Sequence, residues 1–472
     1  MDKAEKAVDP KIKKLLLSLF VLFIMTNLMV QAFVTASPLI AKSFKITASL
    51  SSMQSTITTL AMGVGSVIFG TLSDYIPARK LLLFGVTLIS VGSIIGFAFQ
   101  SFYVSIIIAR ALQSLGQATI SSLVIVIISR YISGKAKVRY FAYYTGCFQV
   151  AQSAGVLIGG LITAYVPWQV LLLLPLVAIF FLPIILTCAP NDNGGTKQHV
   201  DFMGLSMFAV TIILSILFVN SLTMGYLVGI LVLLAIFLFY ISKNNKAFIT
   251  PQFFKQNRSL PRAILITVGI YCGQFAYTFL TTFIVSYGYH QSLSNVLAIF
   301  LPAYIASAVA GILGGDKFLK ILGQEKTIIL GMIMMTAGFL VAGLLINLGS
   351  VVLSIGAVLY FVGNTIMYSP LLDTVTGVIP KSEIGRGAGM FDLSINISGS
   401  LGVAISGKLI STKAFDGFNF FHANVGLVTF QNIFLVFALI ALITIVTYFA
   451  CQNKFEAAMR NCQIFCVNRF FS

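Results

Sequence analysis

Long runs of hydrophobic residues, each closed by a short polar stretch, repeat along the whole chain. Fourteen of them approach the roughly 20 residues that a helix needs to cross a bilayer. They run from Leu15 to Ser37, Leu50 to Gly70, Leu81 to Phe99, Tyr103 to Ser129, Tyr140 to Ala164, Trp168 to Ala189 and Met203 to Leu222. The rest run from Tyr226 to Ser242, Ala263 to Tyr287, Asn295 to Gly315, Thr327 to Leu348, Val351 to Leu372, Ile384 to Ile410 and Thr429 to Cys451. The pattern predicts an all-α polytopic membrane protein of fourteen spans. The first run is too long for a signal peptide and has no small-residue cleavage site, so it reads as a retained span.

Composition agrees, with 58% hydrophobic and 9% charged residues. Of 30 Lys and Arg, 25 fall on the N-terminal side of the spans, four (Lys42, Lys45, Lys408, Lys413) on the far side, and Arg110 inside a span. By the positive-inside rule both termini are expected in the cytoplasm of a plasma-membrane protein. The net charge of +17 is then topology rather than a nucleic-acid footprint. Cys147, Cys188 and Cys272 lie in or near spans as packing thiols, and Cys451, Cys462 and Cys466 are expected to be reduced.

Polar breaks at Asn191–Gly195 and from Lys243 to Arg262 divide the spans six, two, six. The expected organisation is an N-terminal six-helix bundle over 1–190, a linker with spans seven and eight over 191–260, a C-terminal bundle over 261–452, and a tail over 453–472. The loop after the second span of each six supports a repeat. Gly70-Thr-Leu-Ser-Asp74-Tyr-Ile-Pro-Ala-Arg79-Lys80 is echoed by Gly311-Ile-Leu-Gly-Gly315-Asp316-Lys317. Such repeats mark secondary transporters, whose substrate site lies near the midplane.

The first of those loops resembles the signature between spans two and three of the major facilitator superfamily, a Gly-x-Leu-x-Asp core followed by a basic pair. Arg110-Ala-Leu-Gln113-Ser-Leu-Gly116 resembles the superfamily's Arg-x-x-Gln-Gly-x-Gly, with Ser114 in place of one Gly. Gly155-Val-Leu-Ile-Gly159-Gly160 resembles the antiporter signature Gly-Pro-x-x-Gly-Gly, with Val156 in place of Pro. Together with fourteen spans, the motifs resemble the drug:proton antiporter branch, which includes Gram-positive multidrug and tetracycline efflux pumps. That resemblance implies the major facilitator fold, two six-helix bundles plus a linker hairpin. It also implies a cytoplasmic gate at Gly70, Asp74, Arg79 and Lys80, an antiporter motif at Gly155, Gly159 and Gly160, and a coupling role for Arg110. The branch commonly has an acid in span one and often one in span five. Here those stretches offer Asn27 and Gln31, and Gln149 and Gln152.

Of the 13 acids, most border loops or tails, leaving Asp74, Asp373 and Asp392. Asp392 lies nine residues beyond Glu383, about 13 Å along a helix, near the midplane. A charge there costs roughly 2.5–3.5 kcal/mol on insertion scales, so such residues face a cavity. Asp392 is the expected proton carrier, with Asn396 and Gly399 on the same face. Asp373, closer to a helix end, is either a solvated end or a second carrier. Arg110 either ties helices together or couples, bonding carbonyls or Gln31, and favouring a charged Asp392 should the two approach. Candidate substrate-binding residues are Asn27, Gln31, Gln113, Gln149, Gln152, Tyr271, Gln274, Tyr277, Tyr360, Asn364 and Asn396. Further lining candidates are Gln54, Gln117, Tyr304 and Tyr368.

The three histidines lie outside the spans, and no Gly-x-Ser-x-Gly or His-Glu-x-x-His occurs, so a membrane enzyme or receptor is disfavoured. Neither a cofactor nor a metal is expected. The reading is proton-coupled efflux of hydrophobic or amphipathic drugs by a monomer in the lipid bilayer. Its alternative is a proton-coupled nutrient symporter of the same fold.

Overall fold

The computed structural model describes residues 9–73, 76–132, 134–191, 201–221, 223–244, 260–311, 315–377, 384–412, 415–419, 421–424 and 426–468. Every one of the fourteen hydrophobic runs lies on helix. Eleven helices among the described residues are long and apolar enough to cross a membrane.

Span one is the helix Pro10–Phe44. It starts where the Asp9 carboxylate accepts the Lys11 N–H, with Pro10 at the first helical position, where a missing donor costs nothing. It stops at Lys45, whose left-handed backbone (φ 53°) turns its N–H back to the Ala41 and Lys42 carbonyls. Nearly every residue from Thr26 to Ala41 is buried, so the helix runs inside protein.

Span two is the helix Ala48–Leu72. Seven of the nine residues from Ser51 to Thr59 are Ser, Thr or Gln, and all seven are buried. The reason is its place. Span two packs lengthwise against span thirteen, Ile384–Thr412, on the seam between the two halves, and faces protein rather than lipid. Ser49 N–H donates to Ser411 Oγ at 2.7 Å, and Thr59 and Ser400 hydroxyls meet at 3.1 Å. Gly407 stands over Ser52, and Gly63 over Asn396. On the other side the halves meet through spans five and ten and through spans one and nine, where Tyr287 OH reaches the Pro38 carbonyl at 3.5 Å.

Each half holds a corresponding helix pair packed backbone to backbone. Spans three (Ala78–Ala98) and four (Tyr103–Tyr131) meet at Gly85 and Gly92. A Cβ on Gly116 would lie 2.4 Å from the Gly85 carbonyl oxygen, and one on Gly92 2.8 Å from that of Ala109. Span eleven lies in the helix Gly315–Leu344 and span twelve in Ser350–Gly377. They meet at Gly331 against Gly363 and Gly338 against Gly356, again with carbonyls 2.6–2.7 Å from any added Cβ. The glycine spacing of seven residues is the same in spans three and eleven, and it marks the repeat more sharply than the loops do. Of the loop echo, Ile312, Leu313 and Gly314 lie outside the described residues.

Span six is wound tightly, as 3-10 turns Trp168–Leu172 and Leu174–Phe181 followed by the short helix Leu182–Cys188. Pro175 and Pro183 each withhold a backbone donor that a continuous α-helix through this span would use. Spans seven (Phe202–Ser221) and eight (Met224–Lys243) form the linker hairpin. Asp201 clasps it, accepting from Gly204 N–H at 2.8 Å and from Tyr240 OH at 2.6 Å, while Asn244 donates to the same phenol. Span seven leans on spans two and thirteen.

Candidate functional site

Among the described side chains, Asp392 and Arg110 are the charged groups set well inside the spans, at different levels along the helices. Asp392, half-buried on span thirteen, faces the seam. Ser66 of span two stands against its carboxyl, and the phenols of Tyr144 (span five) and Tyr368 (span twelve) lie close enough to feel its charge. Four helices from both halves therefore surround one carboxyl group. Asn396, one turn on, folds its amide back onto the Asp392 carbonyl at 2.8 Å and packs its Cβ toward Gly63. Gly399, seven residues on and only about 20° round the helix from Asp392, lies under the ring of Phe275 in span nine, where a Cβ would come within 2.4 Å of the ring.

Arg110 is 2% exposed. Its Nη1 donates to Gln113 Oε1 at 3.0 Å, and the Phe33 ring covers the guanidinium at 4.1 Å. Gln113 is held in turn by donating to Ser93 Oγ at 2.9 Å and to the Leu172 carbonyl at 3.3 Å. The expected partner, Gln31, is not used. Its side chain is fully buried on the side of span one that faces Gly155, and neither its Nε2 nor its Oε1 has a partner. A partner one helical turn away on span four is reached without crossing to another helix.

Nor do the two charges approach each other. Ser122 Oγ donates to the Ser66 carbonyl at 3.0 Å, which places Asp392 level with Ser122. Twelve residues of helix separate Ser122 from Arg110, about 18 Å along the axis.

Between the two levels lies a belt of amides. Asn27 bonds the Phe23 carbonyl through Nδ2 and leaves Oδ1 unpaired, as do Gln152 and Gln274 with their Oε1 atoms. Tyr271 is buried with its hydroxyl unpaired. Buried polar groups are normally satisfied, so a concentration of unsatisfied ones marks a place built for something other than packing. Gly155 and Gly159 bring span five onto span one. A Cβ on the former would lie 2.3 Å from the Leu28 carbonyl oxygen, and on the latter 2.7 Å from Ala32 Cα. Gly160 instead faces the entry to span ten, 3.4 Å from the Leu293 carbonyl oxygen.

Other candidates sit elsewhere. Tyr277 is at the centre of an aromatic core inside the C-terminal half. It stacks on Tyr360 at 5.4 Å, packs against Phe339 and Phe434, and donates to the Leu353 carbonyl. Asn364 is buried one turn from Tyr360 on span twelve. Arg79 caps the end of span six through two hydrogen bonds to the Ala189 carbonyl, at 3.0 and 3.1 Å, and Lys80 is exposed. No described atom lies within 4 Å of a Cβ on Gly70. Asp74 and the side chains of Gln149 and Asp373 lie outside the described residues. Sequence reasoning missed Ser66 and Tyr144, because nothing in their own spans singles them out.

Two six-span bundles meeting on a polar seam, with buried amides left partly unpaired beside it, have the architecture of a membrane transporter. The chain belongs to the Major Facilitator Superfamily, whose family model matches residues 16–403. It is similar to the quinolone resistance protein NorB of Staphylococcus aureus (strain JH9), 24% identical over 431 residues, 87% of this chain and 90% of that protein. It is also similar to the uncharacterized MFS-type transporter YwoD of Bacillus subtilis (strain 168), 27% identical over 388 residues, 76% of this chain and 82% of that one. Among solved structures, a bacterial homolog of the human lysosomal transporter Spinster, inward-facing and unoccupied, matches with a TM-score of 0.67 at 12% identity, covering 96% of this chain and 99% of that one. A mutant of the nucleoside transporter NupG matches with a TM-score of 0.63 at 15% identity, covering 92% and 99%. At such identities the solved structures speak for the fold alone.

Proposed function

We propose that this protein exports hydrophobic or amphipathic drugs from the cytoplasm in exchange for protons, with Asp392 as the proton carrier. The observation that carries the reading is the position of Asp392 on the seam, ringed by Ser66, Tyr144 and Tyr368 from both halves. A group on the seam is exposed to one side and then to the other as the halves rock, which a proton carrier requires. Substrate and proton compete there. The similarity to a quinolone resistance protein supports a drug as cargo, and the close contact of spans one and five at Gly155 and Gly159 supports exchange. Asp373 is the second candidate carrier, and Asp74 with Arg79 and Lys80 the candidate cytoplasmic gate.

In inverted vesicles holding an acid interior, external norfloxacin is expected to collapse the pH gradient. A response that requires substrate on the acid side would indicate symport, and no response to any tested drug would remove efflux.

The same reading places both termini in the cytoplasm of a plasma-membrane monomer. Reporter fusions at Asn193 and at the C-terminus are both expected to score cytoplasmic. An external C-terminus would mean that the region from Met203 to Ser242 does not cross twice.

A further inference from the structure

The guanidinium of Arg110 is buried, and among the described residues no acid pairs with it. Spans one to six contain no Asp or Glu at all, and Asp392 stands about 18 Å away along the helix axes. Only Nη1 is used, on Gln113; Nε and Nη2 have no partner. Those two atoms form the side-on edge of the guanidinium, the fork that receives a carboxylate through two parallel hydrogen bonds. The fork is also held still. Phe33 covers a face of the group, and Gln113 is anchored to span three and to the turn Trp168–Leu172, so the charge is fixed at this depth instead of reaching for the membrane surface. Fixing an unanswered charge in a low-dielectric interior is costly unless an anion joins it during the working cycle.

We infer that the Nε/Nη2 edge of Arg110 is a carboxylate-binding site, and that the cargo is an amphipath bearing a carboxylate. That the carboxylate belongs to the cargo rests on the transport reading above; the fork itself does not. A transported carboxylate would dock on the far-side level of the amide belt, leaving any cationic end free to reach toward Asp392. Arg110 as a simple tie between helices makes the opposite prediction, because a tie needs no ligand and its loss weakens the fold.

The test is the thermal midpoint of the purified full-length protein with 1-naphthoate, with its neutral methyl ester and with chloride, for the parent, Arg110→Gln and Arg110→Lys. Naphthoate is expected to raise the parent midpoint by about 3 °C or more and the ester to leave it unchanged. Arg110→Gln, which can still bond Gln113, is expected to lose the response while its ligand-free midpoint equals or exceeds that of the parent. Arg110→Lys keeps the charge but not the fork and is expected to lose at least half of the shift. Equal effects of acid and ester, no effect of naphthoate on the parent, or an unchanged response in Arg110→Gln would overturn the site. A lower ligand-free midpoint for Arg110→Gln would make Arg110 a tie and overturn the unanswered-charge argument. A chloride effect as large as that of naphthoate would overturn the assignment to cargo and make this an inorganic-anion site. None of these readouts depends on flux, so vesicles that fail to move protons count against drug export without touching the fork.

Discussion

Asp392→Asn is expected to bring pH-gradient-driven drug uptake in liposomes down to background, while the purified variant still binds drug weakly. Asparagine fills the same volume and can keep a hydrogen bond to Ser66, so the fold and the surrounding seam are retained. What disappears is the ability to take up a proton on one side and lose it on the other. Loss of gradient-driven uptake with drug binding weakened but retained separates proton coupling from substrate recognition, because loss of a group needed only for binding would leave coupling in proportion to the binding that remains. The decisive measurement is concentrative uptake in parallel with equilibrium binding on the same preparation. If the variant concentrates drug as the parent does, the proton travels elsewhere, and Asp373 becomes the carrier to test.

The second large effect is structural. At Gly402 a Cβ would lie 1.7 Å from the carbonyl oxygen of Cys272 and 2.8 Å from its carbon. The obstacle is backbone, in the middle of span nine between the helical segments Leu260–Tyr271 and Gly273–Phe283, so no side-chain rotation relieves it. Gly402→Ala must push spans nine and thirteen apart, and overpacking of this kind costs about 1–3 kcal/mol or more. The variant is expected to show a clearly lower thermal midpoint in detergent and a poorer yield of monodisperse protein. Gly225→Ala is the control, since no described atom lies within 4 Å of its Cβ and alanine favours helix. Equal midpoints for the two variants would show that spans nine and thirteen do not approach as described.

The spans were readable from hydropathy because the bilayer imposes length and apolarity on each one separately, and these are properties of contiguous sequence. Span two shows where that rule weakens. Its length and overall apolarity match those of the other spans, but the buried Ser, Thr and Gln residues from Ser51 to Thr59, which lie on the seam rather than against lipid, are not something hydropathy reads. That Asp392 lies well inside span thirteen was likewise legible, since position along a helix is a count of residues. Its ring of Ser66, Tyr144 and Tyr368 was not, because those contacts depend on how four helices are rotated about their own axes. The same cause explains Gln31 and Arg110. Their depths suggested a pair, but Gln31 is turned to Gly155, and Arg110 finds Gln113 three residues along its own helix. Tyr277, three residues beyond Gln274 and six beyond Tyr271, was with them a candidate for the substrate site, yet it lies in the aromatic core of one half. Helical spacing alone does not separate a core stripe from a cavity wall.

The glycine contacts within each half and the hydroxyl contacts between halves differ in stiffness. Where Gly85 meets Gly116, or Gly331 meets Gly363, two backbones touch with no side chain between them that could change rotamer, so any slip is met at once by hard-core repulsion. Spans three and four, and eleven and twelve, therefore act as welded beams. Along spans two and thirteen the glycine contacts at Gly63 and Gly407 alternate with hydroxyl bonds such as Thr59 to Ser400, which water can replace one at a time at little net loss. The molecule thus carries its own division into frame and hinge line, and a conformational change follows the path of least resistance, unzipping the serine- and threonine-lined face while the glycine-welded beams turn as solid pieces.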